Sequence, residues 1–379
     1  MGIIADAGAT LEDVEAVVVQ GQVTITLLLG VDDGTPRGSP VVKELLFGAK
    51  ELGLELEFAV VTDADLPVVP PRQSFAVTVI GDAIDARLIQ ELALALHNHD
   101  ANIEVIRRLS EGSLASLEVV ISLGVSGQDA VSTLRRALMD LASARNVDIA
   151  LQRETLTRRS KRLVVMDMDS TLITIEVIDE LARAYGVFEQ VSAITQQAMN
   201  GQLNYEESLR ARVALLADMP MSLAHDIARN LPVTEGAEEL LRVLRGLGYK
   251  TAVISGGFSF AAEALRQRLG LDYAFSNHLE VRDGRLTGRV LDPIVGPQRK
   301  ADLLDALAQR EGIPLEQTIA IGDGANDLLM LEKAGLGIAF HAKPRLREAA
   351  DTSLSSGGLD RILYLLGLRE RDVRDLPTG

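Results

Sequence analysis

Asp167 and Asp169 stand two residues apart, directly after the apolar run Leu163-Val164-Val165-Met166. Strand side chains repeat with period two, so both carboxylates point to the same edge. Three more segments carry groups of matching chemistry: Ser255-Gly256-Gly257, Lys300, and Gly322-Asp323-Gly324-Ala325-Asn326-Asp327. Several carboxylates gathered at one site repel each other unless a cation sits among them. Asp oxygens without His or Cys suit a hard ion, and Mg²⁺ fits best. A carboxylate can attack a phosphoryl group as a covalent nucleophile. A second acid beside it can protonate the leaving oxygen and then activate water. Ser255 and the backbone N–H groups near Gly256 can donate to phosphate oxygens, and Lys300 adds positive charge to the transferring group. The chemistry such a set supports is phosphoryl transfer.

These residues need a scaffold that brings distant segments to one edge. The run at 163–166, Thr251–Ile254 and Thr318–Ile321 each read as a buried strand that ends at one of the motifs. Phe260–Leu269, Lys300–Arg310 and Leu328–Ala334 read as helices, with a strand at Gly337–Phe340. Parallel strands with crossover helices collect their C-terminal ends along one edge. Asp283-Gly284 marks a hairpin inside Asn277–Val295. Between the first strand and the rest lie four helical stretches: Glu176–Gly186, Phe188–Met199, Tyr205–Ala217 and Ser222–Arg229. They form a helical insertion over the strand ends. A helix is expected from Thr234, a terminal helix at Leu359–Leu366, and a polar tail that frays.

The N-terminal part is organised differently. Phe75–Ile80, Ile84–Asn98, Ile103–Leu109, Leu117–Leu123, Asp129–Arg145 and Val147–Leu151 follow the order βαββαβ of a ferredoxin-like unit. Before it, Val14–Val19, Val23–Leu29, Val41–Leu52 and Leu54–Thr62 give only ββαβ, with the turn Gln20-Gly21-Gln22 and a loop at Asp32–Pro40. Pro67–Pro71 reads as one linker and Arg153–Arg162 as a second linker or joining helix. The domains expected are 1–66, 72–152 and 161–370, the last with its helical cap at about 176–232.

Composition narrows the function classes. The 379 residues carry a net charge of −16, with 3% aromatic residues and no Trp. Such a chain repels polyanions and offers few stacking platforms, so neither nucleic acid nor an anionic membrane is an expected partner. The absence of Cys excludes disulfides, thiolate catalysis and Cys-ligated metals. No secretory signal and no bilayer-spanning segment is legible, which is compatible with a cytoplasmic protein.

At the four motifs the sequence resembles the haloacid dehalogenase superfamily, whose first motif is Asp-x-Asp-x-Thr/Val. Here it is Asp167-Met168-Asp169-Ser170-Thr171, and the other three follow in order. The resemblance narrows to the phosphoserine phosphatases. Glu176, Ala198-Met199-Asn200-Gly201, Ser208-Leu209-Arg210-Ala211-Arg212-Val213 and Val253-Ile254-Ser255-Gly256-Gly257-Phe258 carry it across roughly 161–366. The N-terminal pair resembles tandem ACT modules, with the first unit lacking its opening strand and helix.

The fold this implies is a Rossmann-like parallel sheet with a helical cap, preceded by ACT-type modules. By resemblance Asp167 is the nucleophile and Asp169 the general acid/base. Asp167, the main-chain carbonyl of Asp169, and Asp323 would hold Mg²⁺, with Asp327 behind them. Glu176 would meet the ammonium of phosphoserine and Arg212 its carboxylate. Ser255, Gly256, Lys300 and Asn326 would hold the phosphate and serine end, with Met199 and Tyr205 as pocket walls. Tyr205 departs from the Phe frequent in the family, so its hydroxyl either faces water or reshapes the pocket.

A zwitterionic head with a phosphate tail needs one anion, one bidentate cation and a phosphate cradle. The expected reaction is therefore Mg²⁺-dependent hydrolysis of phosphoserine, the last step of serine biosynthesis. Its alternatives are a phosphatase for another phosphometabolite or phosphoprotein, and an amino-acid sensor with an inactive phosphatase domain. Gly81 holds the place where ACT modules bind amino-acid effectors, here serine, and such modules imply a homodimer.

Overall fold

The computed structural model describes residues 4, 9–19, 22–30, 40–61, 72–113, 115–124, 127–343, 346–347, 350–374 and 376. The turn at Gln20-Gly21, the loop at 32–39 and the linker Pro67–Pro71 lie outside them. The chain divides into two compact units, Met1–Pro70 and Pro71–Gly379.

The first unit pairs β1 (Thr10–Val19) antiparallel with β2 (Gln22–Gly30) and adds α1 (Pro40–Glu51). The strand expected over Leu54–Thr62 does not form in the described part, 54–61. Its apolar residues do alternate, at Leu54, Leu56, Phe58 and Val60, but all four are exposed. Period-two patterning makes a strand only where a ladder partner exists, and within this unit the described ladder stops at two strands.

The second unit opens with β3 (Arg72–Ile80), α2 (Ala86–His97), β4 (Ala101–Arg108), β5 (Ser116–Gly124), α3 (Gly127–Arg145) and β6 (Asp148–Arg153). These strands form an antiparallel sheet in the order β4-β5-β3-β6, the expected ferredoxin-like arrangement. The run Phe75–Ile80 is buried at every position. Phe75, Val77 and Val79 pack on Leu88, Leu92, Leu134 and Leu138 of the two helices. On the opposite face Ile80 and Ala150 join the core that holds the C-terminal helix residues Ile362 and Leu365. Burial on both faces explains a strand that is apolar without alternation.

Two expectations change here. Residues 154–162 are neither a helix nor a free linker. Arg158 and Arg159 bind the buried Glu118 at 2.7 and 2.8 Å, fastening this stretch to the sheet. The C-terminal tail does not fray throughout, because Glu370–Arg374 is helical and Glu370 N donates to Leu109 O at 2.9 Å.

The site is carried by a seven-stranded sheet in the order β10-β9-β8-β7-β11-β12-β13. Its strands are β7 (Leu163–Met166), β8 (Lys250–Phe258), β9 (Tyr273–Arg282), β10 (Arg285–Leu291), β11 (Thr318–Gly322), β12 (Gly337–Phe340) and β13 (Thr352–Leu354). Every neighbouring pair is parallel except β9 and β10, which form the expected hairpin. Sequence patterning missed β13, a three-residue edge strand too short to show a period. β7 has β8 on one side and β11 on the other, so the chain reverses its winding there, where open sheets leave a crevice.

Helices α4 (Val177–Tyr185), α5 (Phe188–Met199), α6 (Tyr205–Ala214) and α7 (Met221–Arg229) lie in the chain between β7 and β8. Their connectors run side by side: Thr174 N donates to Pro232 O at 3.1 Å, and Thr234 N to Leu172 O at 3.0 Å. Thr234 is held there and does not start a helix. α8 (Ala237–Gly246) begins after Gly236, whose φ of 75° suits glycine. After β8 come α9 (Ser259–Leu269), α10 (Pro297–Glu311) and α11 (Leu328–Lys333). α10 starts three residues before Lys300, with Pro297 in its first turn where a missing N–H costs nothing.

Candidate active site

The C-terminal ends of β7, β8 and β11 converge on a cavity of about 210 Å³. Asp167, Asp169, Glu176, Tyr205, Arg212, Gly256, Asp323 and Asn326 line it. Eight of the residues singled out in the sequence therefore meet in one place, and Ser255, Lys300 and Asp327 stand immediately behind the wall.

Asp167 directly follows β7 and is held through one oxygen. Its Oδ1 accepts from Met168 N at 2.7 Å and from Lys300 Nζ at 2.8 Å. Among the described residues no donor binds its Oδ2. The chain then turns sharply, with Ser170 at φ 57°. Asp169, just before that turn, accepts through Oδ1 from Val177 N, the first residue of α4, at 2.8 Å. Ser255 Oγ lies 3.4 Å from Asp169 Oδ2. One carboxylate thus joins the catalytic edge to the start of the helical insertion.

β8 is bulged at the motif. Its pairing with β9 jumps from Ile254–Phe275 to Phe258–Asn277, leaving three residues of β8 against one of β9. Ser255-Gly256-Gly257 occupies the bulge; Gly256 and Gly257 line the cavity, and Gly257 N donates to Ser255 Oγ at 2.8 Å. A Cβ at Gly257 would fall 2.6 Å from Asp169 Oδ2, so only glycine lets this backbone approach the acid. The buried Asn277 fixes the bulge, donating to Gly256 O and accepting from Val295 N, both at 2.7 Å. The half-buried Tyr205 donates its hydroxyl to Val295 O at 3.1 Å. Burial pushes this phenol up to about 12, so it stays a donor.

Lys300 is fully buried and lies 2.6 Å from Asp327 Oδ1 as well as 2.8 Å from Asp167. Burial works against its charge, but the two carboxylates outweigh it and hold the ammonium above the usual lysine range. Asp327 Oδ2 in turn accepts from Gly324 N at 3.1 Å, which shapes the loop after β11. Replacing Lys300 by Met leaves two buried carboxylates without their cation. We expect Lys300→Met to lose about 3 kcal/mol of stability, read as a lower midpoint in a urea titration, together with loss of turnover.

The acids are crowded beyond what one lysine offsets. Single oxygens of Asp167, Asp323 and Asp327 lie within 4.8 Å of one another. Burial first, then Glu176 and Asp167, raise Asp169 well above the ordinary carboxyl range. Burial, Asp167 and Glu176 push Asp323 up to about 6. Burial and Asp167 raise Asp327, with Lys300 opposing. An all-oxygen set of mutually repelling carboxylates fits a small divalent cation.

Toward the helical insertion the lining changes. Glu176 sits at the mouth, where Ser170 Oγ donates to its Oε1 at 3.0 Å. Burial of its carboxyl, with Asp167 nearby, raises it, while Arg212 pulls it down. Arg212 lies on α6, its Nε donating to Ser208 O at 3.3 Å. Met199 does not join them: it ends α5 with 65% of its surface exposed and does not line the cavity. Gly81 directly follows β3 and does not line the cavity; a Cβ there would meet Val147 at 2.8 Å, so close packing already accounts for glycine.

Sequence reasoning missed Ile178, Leu209, Phe258 and Lys343 of the lining. Ile178 is a single apolar residue on a helix and carries no motif, whereas Leu209 and Phe258 stand inside quoted motif stretches from which only their neighbours were singled out. Lys343 had a signal: β12 runs parallel to β11, so the residues after Phe340 emerge at the same edge as Asp323.

Comparison with known proteins agrees with this picture. The sequence profile of the haloacid dehalogenase-like hydrolases matches residues 164–332, and ACT domain profiles match 73–152 and 1–59. Phosphoserine phosphatase SerB2 of Mycobacterium tuberculosis is 41% identical over 381 residues, spanning 100% of this chain and 91% of the relative. A solved structure of a probable phosphoserine phosphatase from Vibrio cholerae, unliganded, superposes with a TM-score of 0.62 at 34% identity, over 78% of this chain and 86% of that one. Another, described as a phospho-aspartyl intermediate analogue of phosphoserine phosphatase, gives a TM-score of 0.51 at 49% identity, over 54% of this chain and 98% of that one. Among the described residues no helix is long and apolar enough to cross a membrane.

Proposed function

Since the chain belongs to the phosphoserine phosphatases of the haloacid dehalogenase-like hydrolases, we propose that it hydrolyses O-phospho-L-serine through an aspartyl-phosphate on Asp167. The observation that supports this reading is one cavity lined by two kinds of group: Asp167, Asp169 and Asp323 from the strand ends, and Glu176 and Arg212 from the helical insertion.

Phosphoserine lies with its phosphate toward β7 and β11, its ammonium toward Glu176 and its carboxylate toward Arg212. Asp167 Oδ2 attacks phosphorus while the bond to the serine oxygen breaks. Oδ1 stays bound to Met168 N and Lys300, which fixes the attacking oxygen's direction. The raised Asp169 carboxyl gives its proton to the leaving serine oxygen. Serine leaves, and the Asp169 carboxylate takes a proton from a water that attacks phosphorus. The acyl-phosphate bond breaks, releasing phosphate and restoring the Asp167 carboxylate. Ser255, Gly256 and Asn326 donate to the phosphoryl oxygens.

Asp167, Asp323 and the Asp169 carbonyl would hold Mg²⁺, with Asp327 behind them, and the ion would supply positive charge to the phosphoryl group. The homodimer, the cytoplasmic site of action, the serine effector near Gly81 and the place at the end of serine biosynthesis belong to the same proposal.

The test is phosphate release from phosphoserine by the full chain. Turnover is expected with Mg²⁺, is lost on chelation, and returns when Mg²⁺ is restored. Turnover that survives complete chelation overturns the metal-dependent reading.

A further inference from the structure

Among the described residues two cations line the cavity without an ion pair, Arg212 and Lys343. Lys300 is buried and spent on Asp167 and Asp327. Arg212, on α6, is the cation assigned above to the substrate carboxylate. Lys343 lines the cavity, is exposed, and makes no ion pair among the described residues. Its backbone N donates to the main-chain carbonyl of Asp323 at 3.4 Å, which ties this stretch of backbone to the loop after β11.

The surroundings make this cation matter. The chain carries a net charge of −16, and the cavity itself presents Asp167, Asp169, Glu176 and Asp323. A dianionic phosphate approaching such a mouth is repelled unless a local cation reverses the field. Resting on the phosphoserine reading above, we propose that Lys343 is the capture cation of the site. It meets the phosphate on the Asp323 side and orients the substrate phosphate-first, with Arg212 taking the carboxylate behind it. Lys343 also pulls the Asp323 carboxyl down against the rise that burial imposes, in keeping with an ammonium close to the acids. It is a binding residue that acts before chemistry, which distinguishes it from Lys300.

The test compares wild type, Lys343→Met and Lys343→Arg with phosphoserine in saturating Mg²⁺, from low to high ionic strength. In Lys343→Met, kcat/KM should fall about tenfold at low salt, while kcat moves by less than about twofold. Its kcat/KM should also lose much of its salt dependence, because exposed charges are screened beyond about 10 Å at 0.1 M salt. Inhibition by inorganic phosphate should weaken in parallel, and Lys343→Arg should restore all three readouts. A fall in kcat equal to that in kcat/KM at every salt concentration, or an unchanged kcat/KM across the series, overturns the proposal. Wild-type turnover in the same series tests the phosphoserine reading separately: an inactive wild type removes that reading, whereas an active wild type with an unaffected Lys343→Met removes the capture role alone.

Discussion

Asp167→Asn should lower kcat for phosphoserine by about 10⁴-fold or more. Asparagine has nearly the same shape, and its Oδ1 can still accept from Met168 N and Lys300, the two bonds seen for the carboxylate. What changes is the atom at the other position: an amide nitrogen cannot attack phosphorus. Lys300 keeps its second counterion in Asp327, so the variant should remain folded. Phosphate release measures the loss, circular dichroism checks the fold, and mass spectrometry of rapidly acid-quenched enzyme should find a phosphate adduct on wild type alone. Retention of more than about a hundredth of wild-type kcat would move the nucleophile elsewhere.

The site was legible from sequence wherever chemistry and strand geometry coincided. Asp167, Asp169, Ser255, Asp323 and Asp327 follow or end short apolar runs, and a parallel sheet has to bring such ends together. Less visible was how they are held. Nothing in the spacing of Asp169 says that its carboxylate accepts from the first N–H of α4, or that Asn277, far along β9, secures the bulge at Gly256. Met199 shows the opposite failure: its neighbourhood matches a family motif, yet its side chain is exposed.

Fold errors have the same cause. The segment at 54–61 has strand-like alternation but no described ladder partner, and residues 154–162 look like a linker until Glu118 is seen to bind Arg158 and Arg159. Local pattern reports what a segment can do, and long-range pairing decides whether it does.

The second large effect concerns substrate choice. Glu176 and Arg212 reach the cavity from the helical insertion, and in the proposed reaction they take no part in breaking the phosphoester bond. If they bind the ammonium and carboxylate of the substrate, each contributes a charge-assisted contact worth about 2 kcal/mol, or roughly 30-fold in kcat/KM. Arg212→Ala removes the bidentate partner altogether and should cost about 10²-fold for phosphoserine. Glu176→Gln keeps the shape and the bond from Ser170 but loses the charge, and should cost somewhat less. An aryl phosphate offers neither an ammonium nor a carboxylate, so its kcat/KM should change by less than about threefold in either variant.

The decisive measurement is the ratio of kcat/KM for phosphoserine to that for an aryl phosphate, in wild type, Glu176→Gln and Arg212→Ala, with Mg²⁺ present throughout. A ratio that strongly favours phosphoserine in wild type and collapses in both variants is the predicted result. Equal losses on the two substrates, leaving the ratio where it began, would contradict the assignment of this cavity to an amino-acid phosphoester.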